Sequence, residues 1–331
     1  MVIGEDPVAS LGRWLGSPGE PEPLVVETSG STGRPKRVVL SRRAVLASVA
    51  ATERRLGGSG PWVLRLPAAY VAGIQVVCRS LLAGHAPVQE WPTGEGWFTS
   101  LVPTQLHRML AEPDDLDALR RAHTVLLGGG PVDPALRARA GAAGVRVVAT
   151  YGAAETAGGC VYDGVPLDGV GLALETDGRI RVGGPTLFEG YDGDPALSAE
   201  VLVDGWFRTA DAGRLDDHGR LQVLGRLDDV VLSGGVNVPA PAVAARLRAM
   251  PGVEQVEVLG VPDEEWGQRL VAFVVGAPGL DEVRDWVSQS QPRSWAPRQL
   301  VRLDDVPLLA NGKPDRLRLR ALATSERAQR A

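Results

Sequence analysis

Leu24-Val25-Val26-Glu27-Thr28-Ser29-Gly30-Ser31-Thr32-Gly33-Arg34-Pro35-Lys36 carries the reading of this chain. Its apolar head, Leu24 to Val26, reads as a buried strand, and Ser41 is placed to cap a helix reaching about Leu56. Gly30 and Gly33 free the backbone for a tight turn whose amides can point at one centre. Ser29, Ser31 and Thr32 add hydroxyls, and Lys36 adds one positive charge. Many donors, little bulk and a single cation suit a polyphosphate. The spacing is not that of a Walker A loop, which needs Gly-x-x-x-x-Gly-Lys before Ser or Thr. Here the two glycines are too close, and Arg37 follows Lys36.

Outward from this loop, apolar runs alternate with helical patterns as far as Thr150. Strands are expected at Trp62–Leu66, Phe98–Val102, Thr124–Leu127 and Val145–Ala149. Helices are expected over Ala72–Ala83, after Pro103, and after Asp133-Pro134. This alternation predicts a largely parallel α/β sheet, in which ligands collect beyond the carboxyl ends of strands. Gly128, Gly129 and Gly130 follow one such strand, and Tyr151-Gly152 follows another, so both are expected to reach one crevice.

After Tyr162 the pattern changes. Asp177-Gly178, Asp192-Gly193, Asp204-Gly205 and His218-Gly219 punctuate short strands, which predicts a mainly antiparallel β subdomain over residues 163–225. The charged turn Gly225-Arg226-Leu227-Asp228-Asp229 is the expected boundary. Residues 1–227 then form a large domain and residues 228–331 a small, mobile α+β domain.

With 331 residues and 44% hydrophobic content there is material for both cores. The net charge of −5 argues against nucleic acid as a partner. Cys78 and Cys160 lack metal-ligand spacing and fit a reducing cytoplasm. Met1–Glu22 does not read as a signal or anchor, and no apolar run spans a bilayer. A homodimer is left open.

Several further residues carry candidate chemistry. Glu155, just past Tyr151-Gly152, is a carboxylate near a phosphate loop; Mg²⁺ takes one or two carboxylates plus phosphate oxygens. Asp211, with Arg226 downstream, offers an acceptor and a donor for a ribose. Lys313 in Asn311-Gly312-Lys313 is one flexible charge on a turn. His85, His107, His123 and His218 are scattered, and Ser48 and Ser80 lie in helical runs, so neither zinc nor a serine nucleophile is indicated.

Taken in order, Thr28–Lys36, Tyr151–Glu155, Trp206–Asp211, Gly225–Asp228 with Ser233-Gly234-Gly235, and Asn311-Gly312-Lys313 resemble the motifs of the acyl-adenylate-forming superfamily. The likeness covers nearly the whole chain. Val71–Ser80 and Gly158–Gly164 are most similar to the branch of short o-succinylbenzoate–CoA ligases of menaquinone synthesis. The resemblance implies that Thr28, Ser29, Gly30, Ser31, Thr32, Gly33 and Lys36 hold the ATP phosphates. It implies an adenine slot at Gly128, Gly129, Gly130, Tyr151, Gly152 and Ala153. Asp211 and Arg226 would bind ribose, Glu155 Mg²⁺, and Tyr70, Gly73 and Arg79 the acid. Asp228 would be the hinge, Lys313 the adenylation lysine, and Ser233, Gly234 and Gly235 a lining for coenzyme A. The acid would be activated as an acyl-adenylate and passed to the thiol, releasing AMP and pyrophosphate. An aryl- or medium-chain acyl-CoA ligase shares that mechanism.

The sequence also departs from the family pattern. Ala154 stands where a hydroxyl residue is usual, which leans toward an inactive nucleotide-binding relative. Lys36, Glu155, Asp211, Arg226 and Lys313 lean toward an enzyme. Ala210 replaces a usual glycine, and Tyr70 stands where relatives often place His. The short segment before the phosphate loop puts the outer wall of the acid pocket in question.

Overall fold

A computed structural model describes residues 4–28, 35–310 and 312–330. It divides into two compact units. The first comprises residues 1–209, 215–222 and 310–312, and the second residues 210–214, 223–309 and 313–331. The division passes through the strands Trp206–Leu215 and Leu221–Arg226.

The phosphate-loop stretch lies in a hairpin, not between a strand and a helix. Leu24–Glu27 pairs antiparallel with Arg37–Leu40, Glu27 opposite Arg37, and Thr28 N donates to Lys36 O at 2.8 Å. Sequence reading missed Arg37–Leu40 because its four residues run directly into the Ser41 cap. Leu24–Glu27 therefore stands outside the parallel sheet; Arg37–Leu40 pairs on its other side with Gly190–Tyr191. Leu24, Val26, Val38 and Leu40 alternate inward and join Val45, Val49, Ile74, Phe188 and Phe207 in one core. Each such buried side chain contributes about 1.5–3 kcal/mol of transfer free energy. Ser41 caps the Arg42–Leu56 helix, its hydroxyl accepting from Ala44 N at 3.3 Å.

The parallel sheet is real but smaller than expected. Trp62–Val63, Phe98–Leu101, Thr124–Leu127 and Val147–Ala153 are parallel neighbours; Gly158–Tyr162 and Val165–Pro166 extend the sheet antiparallel. The expected Trp62–Leu66 strand contracts to two residues. The strand expected to stop at Ala149 runs on through Ala153, so Tyr151 and Gly152 lie within it. Gly152 is needed there: a Cβ would collide with the backbone oxygen of Gly158 on the next strand.

A third sheet, ordered Leu202–Val203, Trp206–Leu215, Arg179–Gly183, Gly171–Leu174, has Leu221–Arg226 beside Trp206–Leu215. Arg179–Gly183 pairs antiparallel with Gly171–Leu174, and Leu202–Val203 with Trp206–Leu215, as expected for this stretch. A helix, Pro195–Val201, interrupts the strands. Its Asp194-Pro195 start is the same cap signal as Asp133-Pro134, overlooked amid the turn residues.

The second unit holds the sheet Val236–Pro239, Val230–Ser233, Gly267–Gly276, Val253–Asp263, with Gln299–Arg302 parallel to Gly267–Gly276. The Ala240–Arg248 and Leu280–Ser288 helices pack on it, in keeping with the α+β pattern expected for this region; Gln299–Arg302 and Arg316–Arg330 were not anticipated. Among the described residues no helix is long and apolar enough to cross a membrane.

Candidate active site

The hairpin and the parallel sheet bring several of the expected residues together. Ser29, Gly30, Ser31, Thr32 and Gly33 lie outside the described residues, as does Asn311. The rims of the loop are described: Thr28 Oγ1 accepts from Lys36 N at 3.3 Å. The Lys36 ammonium sits 5.1 Å from the centroid of the Tyr191 ring. The hydroxyl of the same tyrosine donates to Glu155 Oε1 at 2.8 Å. Glu155 is 9% exposed, on the single helical turn Ala154–Thr156 that ends the Val147–Ala153 strand. One tyrosine thus ties the expected phosphate lysine to the expected metal carboxylate.

Gly128, Gly129 and Gly130 follow Thr124–Leu127, next to the extended Val147–Ala153 strand. Gly128 approaches Thr150 so closely that a Cβ would strike its hydroxyl. The glycine run and Tyr151, Gly152 and Ala153 therefore share one edge, as the parallel topology predicted. Ala154 leaves no hydroxyl, and Thr156 does not replace one. Its Oγ1 accepts from Ala153 N at 2.9 Å and donates to Gly158 O at 2.7 Å, so it braces the turn.

Tyr70 is the N-cap residue of the Val71–Leu82 helix, and Gly73 packs in its first turn under the backbone of Pro67 and Ala68. Arg79 lies six residues beyond Gly73, about 9 Å along the axis. It is not a surface residue: only 3% is exposed. Its Nη2 donates to Thr52 Oγ1 at 3.2 Å and Tyr162 Oη at 3.4 Å, and its guanidinium lies 5.0 Å from the Trp62 ring centroid. Its Nε is buried without a hydrogen-bond partner among the described residues. A buried guanidinium whose described partners are neutral groups is an anion-seeking arrangement. Sequence reading found Arg79 but not Thr52, Trp62 or Tyr162, which come from three other elements. Neighbouring Cys78 and distant Cys160 are fully enclosed; burial pushes each thiol up to about 12, so neither is a nucleophile.

Within the second unit, Arg226 grips Asp228 through two bonds of 2.7 Å. That hydrogen bonding raises the Arg226 pKa; burial opposes it, and the charges of Asp228, Asp211 and Asp229 add to it. Burial pushes the Asp228 carboxyl up, but the bond and charge of Arg226 prevail and hold it below the usual range. Asp229 is gripped separately by Arg316, at 2.6 and 2.7 Å. Ser233 is buried, and Gly234, at φ +57°, lies against the Trp266 ring, with the Arg298 guanidinium 3.3 Å from the ring centroid. Gly235 follows at φ +78°. Lys313 is exposed on a turn closed by Leu309 N donating to Lys313 O at 2.8 Å.

Among the described residues no group of three or more His, Cys, Asp or Glu could hold a metal. The buried Glu155 carboxylate, linked through Tyr191 to Lys36, nonetheless has the chemistry for Mg²⁺, which takes one or two carboxylates with phosphate oxygens and water.

The chain matches the AMP-binding enzyme family over residues 24–189 and the AMP-binding enzyme C-terminal domain over residues 242–313. It is 42% identical over 319 residues to a probable 2-succinylbenzoate–CoA ligase of Mycobacterium tuberculosis, covering 89% of this chain and 83% of that one. It is 32% identical to a feruloyl-CoA synthase of Amycolatopsis, covering 88% and 67%. Among solved structures, the o-succinylbenzoate CoA synthetase of Bacillus subtilis in complex with the acyl-adenylate OSB-AMP superimposes with a TM-score of 0.75 at 26% identity, covering 89% and 68%.

Proposed function

Since this chain belongs to the AMP-binding enzyme family, we propose that it is an AMP-forming acid–thiol ligase that converts o-succinylbenzoate to its CoA thioester, a step of menaquinone synthesis. The observation that carries the reading is the convergence of Lys36 and Glu155 on Tyr191, at the turn that ends the Val147–Ala153 strand.

The reaction sets one anion against another, because a carboxylate must attack the α-phosphate of ATP. Lys36 and the loop amides take up charge on the departing pyrophosphate. Glu155 would hold Mg²⁺, which when bound neutralises phosphate charge. Gly128–Gly130 and Tyr151–Ala153 bound a slot for adenine, and Asp211 and Arg226 orient the ribose. Lys313 supplies a mobile charge at the carboxylate–phosphate junction. Rotation about Asp228 then exchanges Lys313 for the Ser233–Gly235 face, along which coenzyme A reaches the same carbonyl.

Arg79 is assigned to the acid's second carboxylate. A buried guanidinium with a free Nε gains a charged partner when a diacid binds and nothing when a monoacid binds. Pyrophosphate exchange across a panel of acids tests this. The reading expects exchange with o-succinylbenzoate and little with benzoate or fatty acids. Arg79→Ala is expected to raise KM for the diacid by about tenfold or more while leaving KM for any accepted monoacid nearly unchanged. An equal change for both removes Arg79 from the pocket. The likeness to a feruloyl-CoA synthase favours a second reading, an aryl-acid ligase; exchange with cinnamate-type acids but not o-succinylbenzoate would select it.

A further inference from the structure

Resting on the assignment of Lys36 to phosphate and Glu155 to the metal, we infer that Tyr191 is a positioning residue that holds these two opposite charges near each other without letting them pair. The strand Gly190–Tyr191 lies antiparallel to Arg37–Leu40 with Tyr191 opposite Val38, two residues beyond Lys36. Tyr191 N donates to Ser198 Oγ at 2.7 Å, and its ring meets Phe188 edge-on at 5.0 Å between centroids. Only 7% of the residue is exposed. The ring is therefore fixed by strand pairing, by a backbone bond and by packing before any ligand arrives.

From that fixed ring two contacts leave in different directions. The phenol O–H donates to Glu155 Oε1 at 2.8 Å, which sets the rotation of the carboxylate and leaves Oε2 as the atom for a cation. The ring face attracts the Lys36 ammonium at 5.1 Å without occupying its N–H donors, which remain for phosphate oxygens. A lysine or arginine in place of Tyr191 would neutralise Glu155. A direct Lys36–Glu155 pair would cancel both charges. A neutral donor with an electron-rich face avoids both outcomes.

The test uses the full chain, Mn²⁺ as the metal and α,β-methylene-ATP as the nucleotide, with bound Mn²⁺ read by electron paramagnetic resonance. Tyr191→Phe keeps the ring and loses the hydroxyl, so Mn²⁺ affinity in the presence of nucleotide is expected to fall about tenfold. Nucleotide affinity without metal is expected to hold. Tyr191→Leu loses the ring as well and is expected to weaken nucleotide binding even without metal. Ser198→Ala removes a hydroxyl that accepts from Tyr191 N and donates to Asp194 O while keeping the Tyr191 phenol, and is expected to leave Mn²⁺ affinity within about twofold of wild type. Unchanged Mn²⁺ affinity in Tyr191→Phe, or an equal fall in Ser198→Ala, overturns the inference. If Tyr191→Phe fails to fold, wild-type chain carrying 3-fluorotyrosine at its four tyrosines gives the same reading. Adding Mg²⁺ at saturating analogue must then shift a fluorine signal, and no shift overturns the inference. Wild-type chain that binds no nucleotide at all would instead sink the functional reading itself.

Discussion

Lys313→Ala is expected to slow acyl-adenylate formation by about 10²–10³-fold, the usual loss when one transition-state donor is removed. The turn that carries Lys313 is held by backbone contacts. It is closed by Leu309 N donating to Lys313 O and by a bridge between Leu308 and Pro314, and Gly312 takes the left-handed φ of +77° that the bend requires. Alanine keeps these backbone contacts and removes the charge. Lysine is suited to the role because its ammonium is a compact point charge on a long flexible stem. Thioester formation from supplied acyl-adenylate is expected to keep most of its rate, since that step calls on other groups. Single-turnover measurement of the two half-reactions separates them. Equal loss in both would remove Lys313 from the adenylation step.

Asp263→Ala is expected to destabilise the second unit by about 3–5 kcal/mol, the cost of leaving a buried charge without its partner. The Asp263 and Arg269 side chains are 3% and 7% exposed and lie 3.1 Å apart. Arg269 also donates to Gln299 at 2.9 Å and to the backbone of Pro262 and Ala323, tying the sheet to the C-terminal helix. Asp263 in turn accepts from the backbone N–H groups of Glu265 and Trp266. Asp168→Ala is the control. Its pair with Arg54 is as short, 2.9 Å, but the two side chains are 60% and 56% exposed. Solvent screening makes such a pair worth about 0–1 kcal/mol. Urea unfolding of the two variants is expected to differ by several-fold in free-energy loss. Comparable losses would mean that Arg269 finds another way to satisfy its charge.

Much of this architecture was legible before any coordinates. Helix starts were readable from a cap residue, a first-turn proline or both: Ser41, Pro103 and Asp133-Pro134 all start helices as expected. The Thr124–Leu127 strand was legible because its buried residues give an unbroken apolar run, Val125-Leu126-Leu127. The hairpin at Arg37–Leu40 was not, because a four-residue strand that abuts a helix cap shows no period of its own. Nor was the continuation through Tyr151-Gly152, since glycine there signals a turn when the cause is a neighbouring backbone at close range. Among candidate site residues, those in contiguous motifs stood out in the sequence. Tyr191 was passed over because its partners lie 36 residues away at Glu155 and across a sheet at Lys36. Thr52, Trp62 and Tyr162 were missed likewise, since only the fold assembles them around Arg79.

The most direct measurement is the identity of the nucleotide released when purified chain is given ATP, Mg²⁺, coenzyme A and o-succinylbenzoate. Stoichiometric AMP and pyrophosphate, dependent on the acid, is the predicted result. ADP and phosphate, or no acid-dependent turnover of ATP with any carboxylic acid, would contradict it.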